Sequence, residues 1–238
     1  MTGDRLYFRQ LLVGSDIANH DPVARQMVNL VYLIGDRSSG EAVAVDPAYA
    51  PGEILSLLEA DGMRLTGVLA THYHPDHVGG DLFGHPIAGI AELLEQAAVP
   101  VHAHEHEVGW IERATGVGRE YLVAHASDDV VQVGEIGIRL LHTPGHTPGS
   151  QCFLVDGRLV AGDTLFLRGC GRTDLPGSDP AAMYDSLVNR LARLPDDTVV
   201  YPGHLYSPEA SAPLGETKRK NPVLAPRSTE EWLALFAG

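Results

Sequence analysis

Apolar and polar positions alternate along this chain in short blocks that read as strands, helices and strands again. "MVNLVYLIGD" (27–36) and "EAVAVDP" (41–47) are apolar runs joined by the turn "RSSG", which predicts two adjacent strands. "PGEILSLLEADG" (51–62) opens on Pro, carries apolar residues at 54, 55, 57 and 58 and closes on Gly. Those are the start and stop signals of a helix. "RLTGVLATH" (64–72) is the next strand, so this stretch implies a β-α-β crossover. "IAELLEQAA" (90–98) has a helical pattern, "VPVHAH" (99–104) reads as a strand, and 105–124 is expected to be helical in part.

The second half is richer in strands. "DVVQVG", "IGIRLLHTPG", "SQCFLVDG" and "RLVAGD" are short strands separated by turns containing Gly and Asp. "DPAAMYDSLVNRLARLP" (179–195) predicts a helix capped by Asp179, with Met183, Leu187, Leu191 and Leu194 on one face. "TVVYPGH" (198–204) is a last buried strand. "STEEWLALFAG" (228–238) predicts a closing helix with Ser228 and Glu231 in capping-box positions. Helices outside two packed sheets fit this order. The pattern supports an α/β or α+β class and leaves the sheet order open. No linker or low-complexity segment divides the 238 residues, so one domain over 1–238 is expected, with 44% hydrophobic residues to fill its core.

Charge narrows the function. The chain carries 31 acidic and 17 basic side chains, a formal charge of −14. Phosphate backbones need a basic surface, so nucleic acid is not expected as a partner. "MTGDRLYFRQLLVG" lacks the apolar core of an export signal, and no run is long enough to span a membrane. Cys152 and Cys170 are too few for a disulfide framework. A cytoplasmic protein with reduced thiols is the expectation.

The chemistry is concentrated in "VLATHYHPDHVGGD" (68–81), where His72, His74, Asp76 and His77 fall within six residues. In an extended segment, residues two apart point to one side, about 6–7 Å apart. Pro75 favours that conformation at His74. His72 and His74 can therefore converge on one ion. Asp76 and His77, past the turn, can serve a second. Three other apolar strands end in a ligand: His146 in "LLHTPGHTPGS", Asp163 in "RLVAGDTLF" and His204 in "TVVYPGHLYS". Five His and two Asp at strand-to-loop junctions suit two metals sharing one carboxylate. His102, His104 and His106 are read instead as a strand face running into a helix start. His142 is read as a buried or supporting residue, and His20, His85 and His125 have no partner pattern.

These residues resemble the metallo-β-lactamase superfamily. "HYHPDH" (72–77) is similar to its His-X-His-X-Asp-His signature, and "TPGHTPGS" (143–150), "AGDTLF" (161–166) and "PGHLYS" (202–207) match its later ligand positions in order. The resemblance implies a four-layer αββα sandwich with a dinuclear site at one edge and an insert at about 105–127. It assigns His72, His74 and His146 to one metal and Asp76, His77 and His204 to the other, with Asp163 bridging. The ions would be zinc, with iron or manganese as alternatives. "GCGRTD" (169–174) and "ETKRKNP" (216–222) look like the glyoxalase II-like hydrolases and the related persulfide dioxygenases. The bridging Asp163 and the missing export signal argue against antibiotic hydrolysis, and the charge argues against nuclease members. Lactonase action and non-catalytic metal binding rank lower.

Two readings of the site follow. In the hydrolytic one, paired ions activate water for attack on a thioester, and Asp76 also orients the water or takes its proton. In the other, a single Fe(II) is held by His72, His146 and Asp163 and acts with O₂ on a glutathione-type persulfide. Arg172 and Lys218 are candidates to hold a carboxylate of a thiol cofactor, with Tyr206 lining the same pocket. The segment 105–127, with Trp110, Ile111 and Tyr121, either walls that pocket or contacts a second copy in a homodimer.

Overall fold

The computed structural model describes residues 5–226 and 228–234. The first sheet contains β1 (Leu6–Leu12), β2 (Leu30–Asp36), β3 (Glu41–Val45), β4 (Arg64–Leu69), β7 (Val101–His104) and β8 (Leu122–His125), side by side in that order. A separate hairpin, β5 (Gly80–Leu82) and β6 (His85–Ile87), follows β4 in the chain. The second sheet runs β14-β13-β12-β11-β10-β9, from β9 (Val130–Val133), β10 (Ile136–His142), β11 (Gln151–Val155) and β12 (Arg158–Gly162) to β13 (Val199–Pro202) and β14 (Ala212–Pro213). The helices are α1 (Pro22–Met27), α2 (Pro51–Ala60), α3 (Pro75–Val78), α4 (Ile90–Gln96), α5 (Val108–Thr115), α6 (Pro180–Tyr184), α7 (Leu214–Lys220) and α8 (Thr229–Ala234).

Three apolar cores separate four layers. Between the sheets lie Ile34, Val45, Leu69, Ile138, Leu140, Phe153 and Val160. Outside the first sheet, Leu33 and Val68 pack with Ile54 and Leu58 of α2, Leu93 of α4 and Ile111 of α5. Outside the second, Leu159 and Val200 pack with Met183, Leu187, Leu214 and Trp232. The fold is thus a helix–sheet–sheet–helix sandwich. Along β2 the side chains alternate between two buried faces: Leu30, Tyr32 and Ile34 face the second sheet, Val31 and Leu33 the helices. That is why "LVYLI" reads as a continuous apolar run.

The β-α-β crossover appears as β3 and β4 in parallel, joined by α2. Several elements lie outside the expected set, among them the β5–β6 hairpin, β14, α7, β1 and α1. β1 has half-exposed residues through its middle, which blurs its period. α1 is only six residues long, and it takes up the start of the strand expected from Met27. Asp21 caps it, accepting from the amides of Val23 and Ala24, and Val28 ends it in the left-handed region. The helix expected over 179–195 is continuous but changes winding. α6, capped by Asp179, passes into a π turn (185–190) and a 3₁₀ turn (191–193), and Met183, Leu187 and Leu191 all stay buried. The segment 105–127 forms α5 and β8, the latter an edge strand of the first sheet. In the closing helix, Ser228 Oγ accepts from the Glu231 amide, and Trp232 is buried. Residues 235–238 of that expected helix lie outside the described residues. Among the described residues no helix is long and apolar enough to cross a membrane.

The topology brings one set of strand ends together. β3, β4 and β7 are parallel, so Asp46, Thr71 and His104 emerge at one edge of the first sheet. β12 and β13 are parallel in the second sheet, so Asp163 and His204 emerge side by side. The Gln151 amide donates to Thr71 O, and its side chain to Ala70 O, which ties the sheets at that edge.

Phe153 is fully buried between the sheets. Replacing it with Ala is expected to lower unfolding stability by about 3–5 kcal/mol, measured in urea, because a phenyl-sized cavity opens in that core.

Candidate metal centre

Each side chain at this edge is aimed by a local device. β4 ends at Leu69, and His74 is extended at φ −62°, ψ 141° immediately before Pro75 opens α3. Asp76 and His77 therefore sit on a single helical turn, with the His77 ring centroid 4.2 Å from that of His72. Close approach of the backbones at this edge depends on small residues. Gly162 sits at φ +48°, where a side chain would also come within 2.7 Å of Thr71 Cβ. At Gly203 any Cβ would collide with Asp163 Oδ1.

The seven expected residues converge. His72, His74 and His146 form one group, and Asp76, His77 and His204 a second, each with ligand atoms within 4.8 Å of one another. Asp163 lies between them. Its Oδ1 is 3.4 Å from His77 Nε2, and its Oδ2 is 3.7 Å from His146 Nε2 and 3.4 Å from His204 Nε2. Asp76 Oδ2 is 3.4 Å from His204 Nε2.

Four of the five imidazoles are oriented from behind. His77 Nδ1 donates to Asp46 Oδ2 at 2.9 Å, His146 Nδ1 to Arg172 O at 2.7 Å and His204 Nδ1 to Met27 O at 2.7 Å. His72 Nδ1 donates to Thr71 Oγ1 at 2.9 Å, and that hydroxyl passes its own proton to Asp46 Oδ2 at 2.6 Å. With Nδ1–H committed, each of these rings presents a bare Nε2 to the centre. The consequence is severe. The Nε2 atoms of His77 and His204 face each other at 3.2 Å, and His146 Nε2 faces His74 Nδ1 at 3.0 Å. His72 Nε2 and Asp163 Oδ1 are buried without a hydrogen-bond partner. The His77–His204 contact, opposed lone pairs beside buried carboxylates, calls for positive charge between them, while His74 Nδ1 can donate to His146. The nitrogen and carboxylate donors fit divalent cations.

Proton affinities report the same demand. Burial alone would lower His77, but Asp76, Asp163 and the bond to Asp46 push it up to about 9. His204 is likewise raised, against its burial, by Asp163 and Asp76. Burial disfavours charge on Asp76 and Asp163 too, yet neighbouring imidazoles hold both far below the usual carboxylate range. His72 is lowered by burial and by His77 and His74, and His74 falls to about 4 through burial and His146. A proton gathers where a cation would bind.

Supporting residues outside the sequence expectation complete the centre. Asp46 is the hub behind His72 and His77. Its position at the end of an apolar strand carries the same signal as Asp163 and His204. Asn29 Nδ2 donates to Asp76 O and Oδ2 at 3.0 and 3.1 Å. Glu107, fully buried, accepts from the amides of Tyr73 and Gly149 at 2.8 Å and from Thr147 Oγ1 at 2.9 Å, clamping the loops of His74 and His146 together. Burial pushes its carboxyl up to about 7 against those three donors. His142 sits outside the cluster, stacked on His104 with centroids 3.7 Å apart and bonded to Pro148 O.

The cluster opens into a cavity of about 720 Å³. Of the three residues expected to hold substrate, Tyr206 and Arg172 line it and Lys218 does not. Tyr206 stacks on His204, with ring planes 6° apart. The Arg172 side chain pairs with Asp174, while its carbonyl holds His146. Lys218, on α7, is drawn away by Asp196 at 2.8 Å. Trp110 of α5 stacks on Tyr73, a wall of the cavity, at 4.9 Å.

Residues 25–204 match the profile of the metallo-beta-lactamase superfamily. The chain is 42% identical over 182 residues to a hydroxyacylglutathione hydrolase of Bradyrhizobium sp. (strain ORS 278), covering 75% of this chain and 63% of that one. It is 32% identical over 210 residues to the human mitochondrial persulfide dioxygenase ETHE1, covering 86% and 74%. The crystal structure of ETHE1 from Myxococcus xanthus superposes with a TM-score of 0.78 at 32% identity, covering 96% of this chain and 89% of that one.

Asp46→Asn is expected to weaken metal affinity about 10–100-fold in a chelator competition, since it unseats two imidazoles at once. Glu107→Gln places an amide donor against the Gly149 N–H. It should cost about 1–3 kcal/mol in denaturant unfolding.

Proposed function

The chain belongs to the metallo-β-lactamase superfamily, and from that premise we propose that it is a dinuclear metal-dependent hydrolase of a thioester. The observation that carries this reading is the second donor set. Asp76, His77 and His204 are each oriented by a partner of their own, Asn29, Asp46 and the Met27 carbonyl, and their ligand atoms lie within 4.8 Å of one another beside Asp163. That set can hold a second ion beside the first. Zinc fits these nitrogen and carboxylate donors, and iron or manganese are the alternatives.

Bound at these donors, two divalent ions would supply the Lewis acidity that activates water and polarises a carbonyl. The chain's own residues do the rest. His72, His74, His146, His77 and His204 hold the donor geometry. Asp76, at the cavity floor and fixed by Asn29, accepts a proton from the attacking water. The water oxygen bonds to the acyl carbon, the carbon–sulfur bond breaks, and a carboxylate and a thiol result. The leaving thiolate needs little acid assistance, which suits a floor without a free cationic side chain among the described residues.

One observation favours a second reading, a mononuclear Fe(II) persulfide dioxygenase. The ETHE1 crystal structure from Myxococcus xanthus superposes over 96% of this chain and 89% of its own, with a TM-score of 0.78. His72, His146 and Asp163 would then be the iron donors.

Metal analysis of protein purified without added metal, paired with thioester cleavage and O₂ uptake assays, separates the two. Two ions per chain with thioester cleavage are expected; one iron with O₂ uptake on glutathione persulfide would sink the hydrolase reading. Asp163→Ala is expected to abolish metal binding and activity together, and full retained activity would show that the centre is misassigned.

A further inference from the structure

The cavity above the metal centre is a poor receptor for a charged carrier. Among the described residues its cations are Arg168 and Arg172. Arg172 is engaged by Asp174 through two bonds of 2.9 Å, and Arg168 lies 3.6 Å from Glu209. Asp81 adds a negative charge to the lining, and Lys218 points elsewhere. A carboxylate-bearing thiol such as glutathione would share each arginine with a carboxylate already beside it.

The remaining wall is apolar. Tyr73, Leu82, Phe83, Phe166, Leu167 and Tyr206 surround the opening. Two of these rings are braced, Tyr73 on Trp110 and Phe166 edge-on to Tyr206. Phe83 is different. It stands at the tip of the β5–β6 hairpin, fully exposed, at φ +53° beside Gly84 at φ +86°. A bulky residue is costly in that region, and the two-residue loop favours Asn or Asp there. The hairpin nevertheless holds it, with Asp81 Oδ1 accepting from the Gly84 amide at 2.8 Å. Strain and an exposed aromatic ring thus coincide at the rim of the site.

We propose that the substrate presents an apolar, uncharged acyl group to this cavity, and that Phe83 closes over it as a specificity-determining residue. This rests on the thioester hydrolase reading. Burying the acyl chain against Phe83 removes apolar surface of both from water, and the strained hairpin presents the ring already turned outward. A methylene fully enclosed by such a wall raises kcat/KM by about tenfold, and one held at an open rim by less.

The test uses the metal-loaded enzyme with acetyl and hexanoyl thioesters of N-acetylcysteamine, an uncharged thiol, and with S-lactoylglutathione. The hexanoyl thioester is expected to exceed both others by tenfold or more in kcat/KM. Phe83→Ala should flatten the rise from acetyl to hexanoyl, mainly through KM, and Phe83→Leu should restore most of it. Preference for S-lactoylglutathione, or an unchanged chain-length profile in Phe83→Ala, would overturn the inference and leave the hydrolase reading standing. Cleavage of none of the three would overturn that reading as well.

Discussion

Two bare imidazole nitrogens, His77 Nε2 and His204 Nε2, face each other at 3.2 Å inside a buried pocket that also holds Asp76 and Asp163. Neither ring can turn its N–H inward, because each Nδ1–H is committed to an acceptor behind it. Lone pairs and carboxylates packed this closely, out of water, repel one another unless positive charge lies among them. The arrangement is therefore set up for a cation before any reaction is considered. The acceptors behind the rings, Asp46, the Met27 and Arg172 carbonyls and the Thr71 hydroxyl, matter as much as the ligands, since they decide which nitrogen points inward.

The sandwich exists to bring those acceptors together. Parallel pairing of β3 with β4 sets Asp46 beside Thr71, and parallel pairing of β12 with β13 sets Asp163 beside His204. The two sheets are then joined at the same edge. Leu30 donates to Gly203 O, Leu205 to Val28 O and Gln151 to Thr71 O. Gly162 and Gly203 let the backbones approach closely enough for this, so the depth of the centre depends on two absent side chains. Glu107 reaches across from the start of α5 and fixes the loops bearing His74 and His146 with three hydrogen bonds.

A division of labour follows between floor and wall. The floor is polar, buried and fully committed to holding charge. The wall is aromatic and aliphatic, and its arginines are occupied by neighbouring acids.

The seven candidate donors stood out in the sequence because each follows an apolar strand, and strand ends are where a sheet can gather polar side chains at one edge. The two-residue spacing of His72 and His74 before Pro75 also carried their shared direction. The order of apolar runs suited helices outside two packed sheets, and the four-layer sandwich came from the family resemblance. Asp46 carried the same strand-end signal, but its role behind His72 and His77 depends on a parallel register that no local pattern encodes. Glu107, Asn29 and the Met27 carbonyl are remote in sequence from the rings or loops they hold, so their roles arise only when the layers close. Lys218 shows the converse. Its type and spacing suited a substrate carboxylate, yet α7 packs outside the second sheet and Asp196 claims the charge. Residue type and local period fixed which atoms can bind a metal; only the packing of two sheets decided which nitrogen each ring offers, and which cations remain for a ligand.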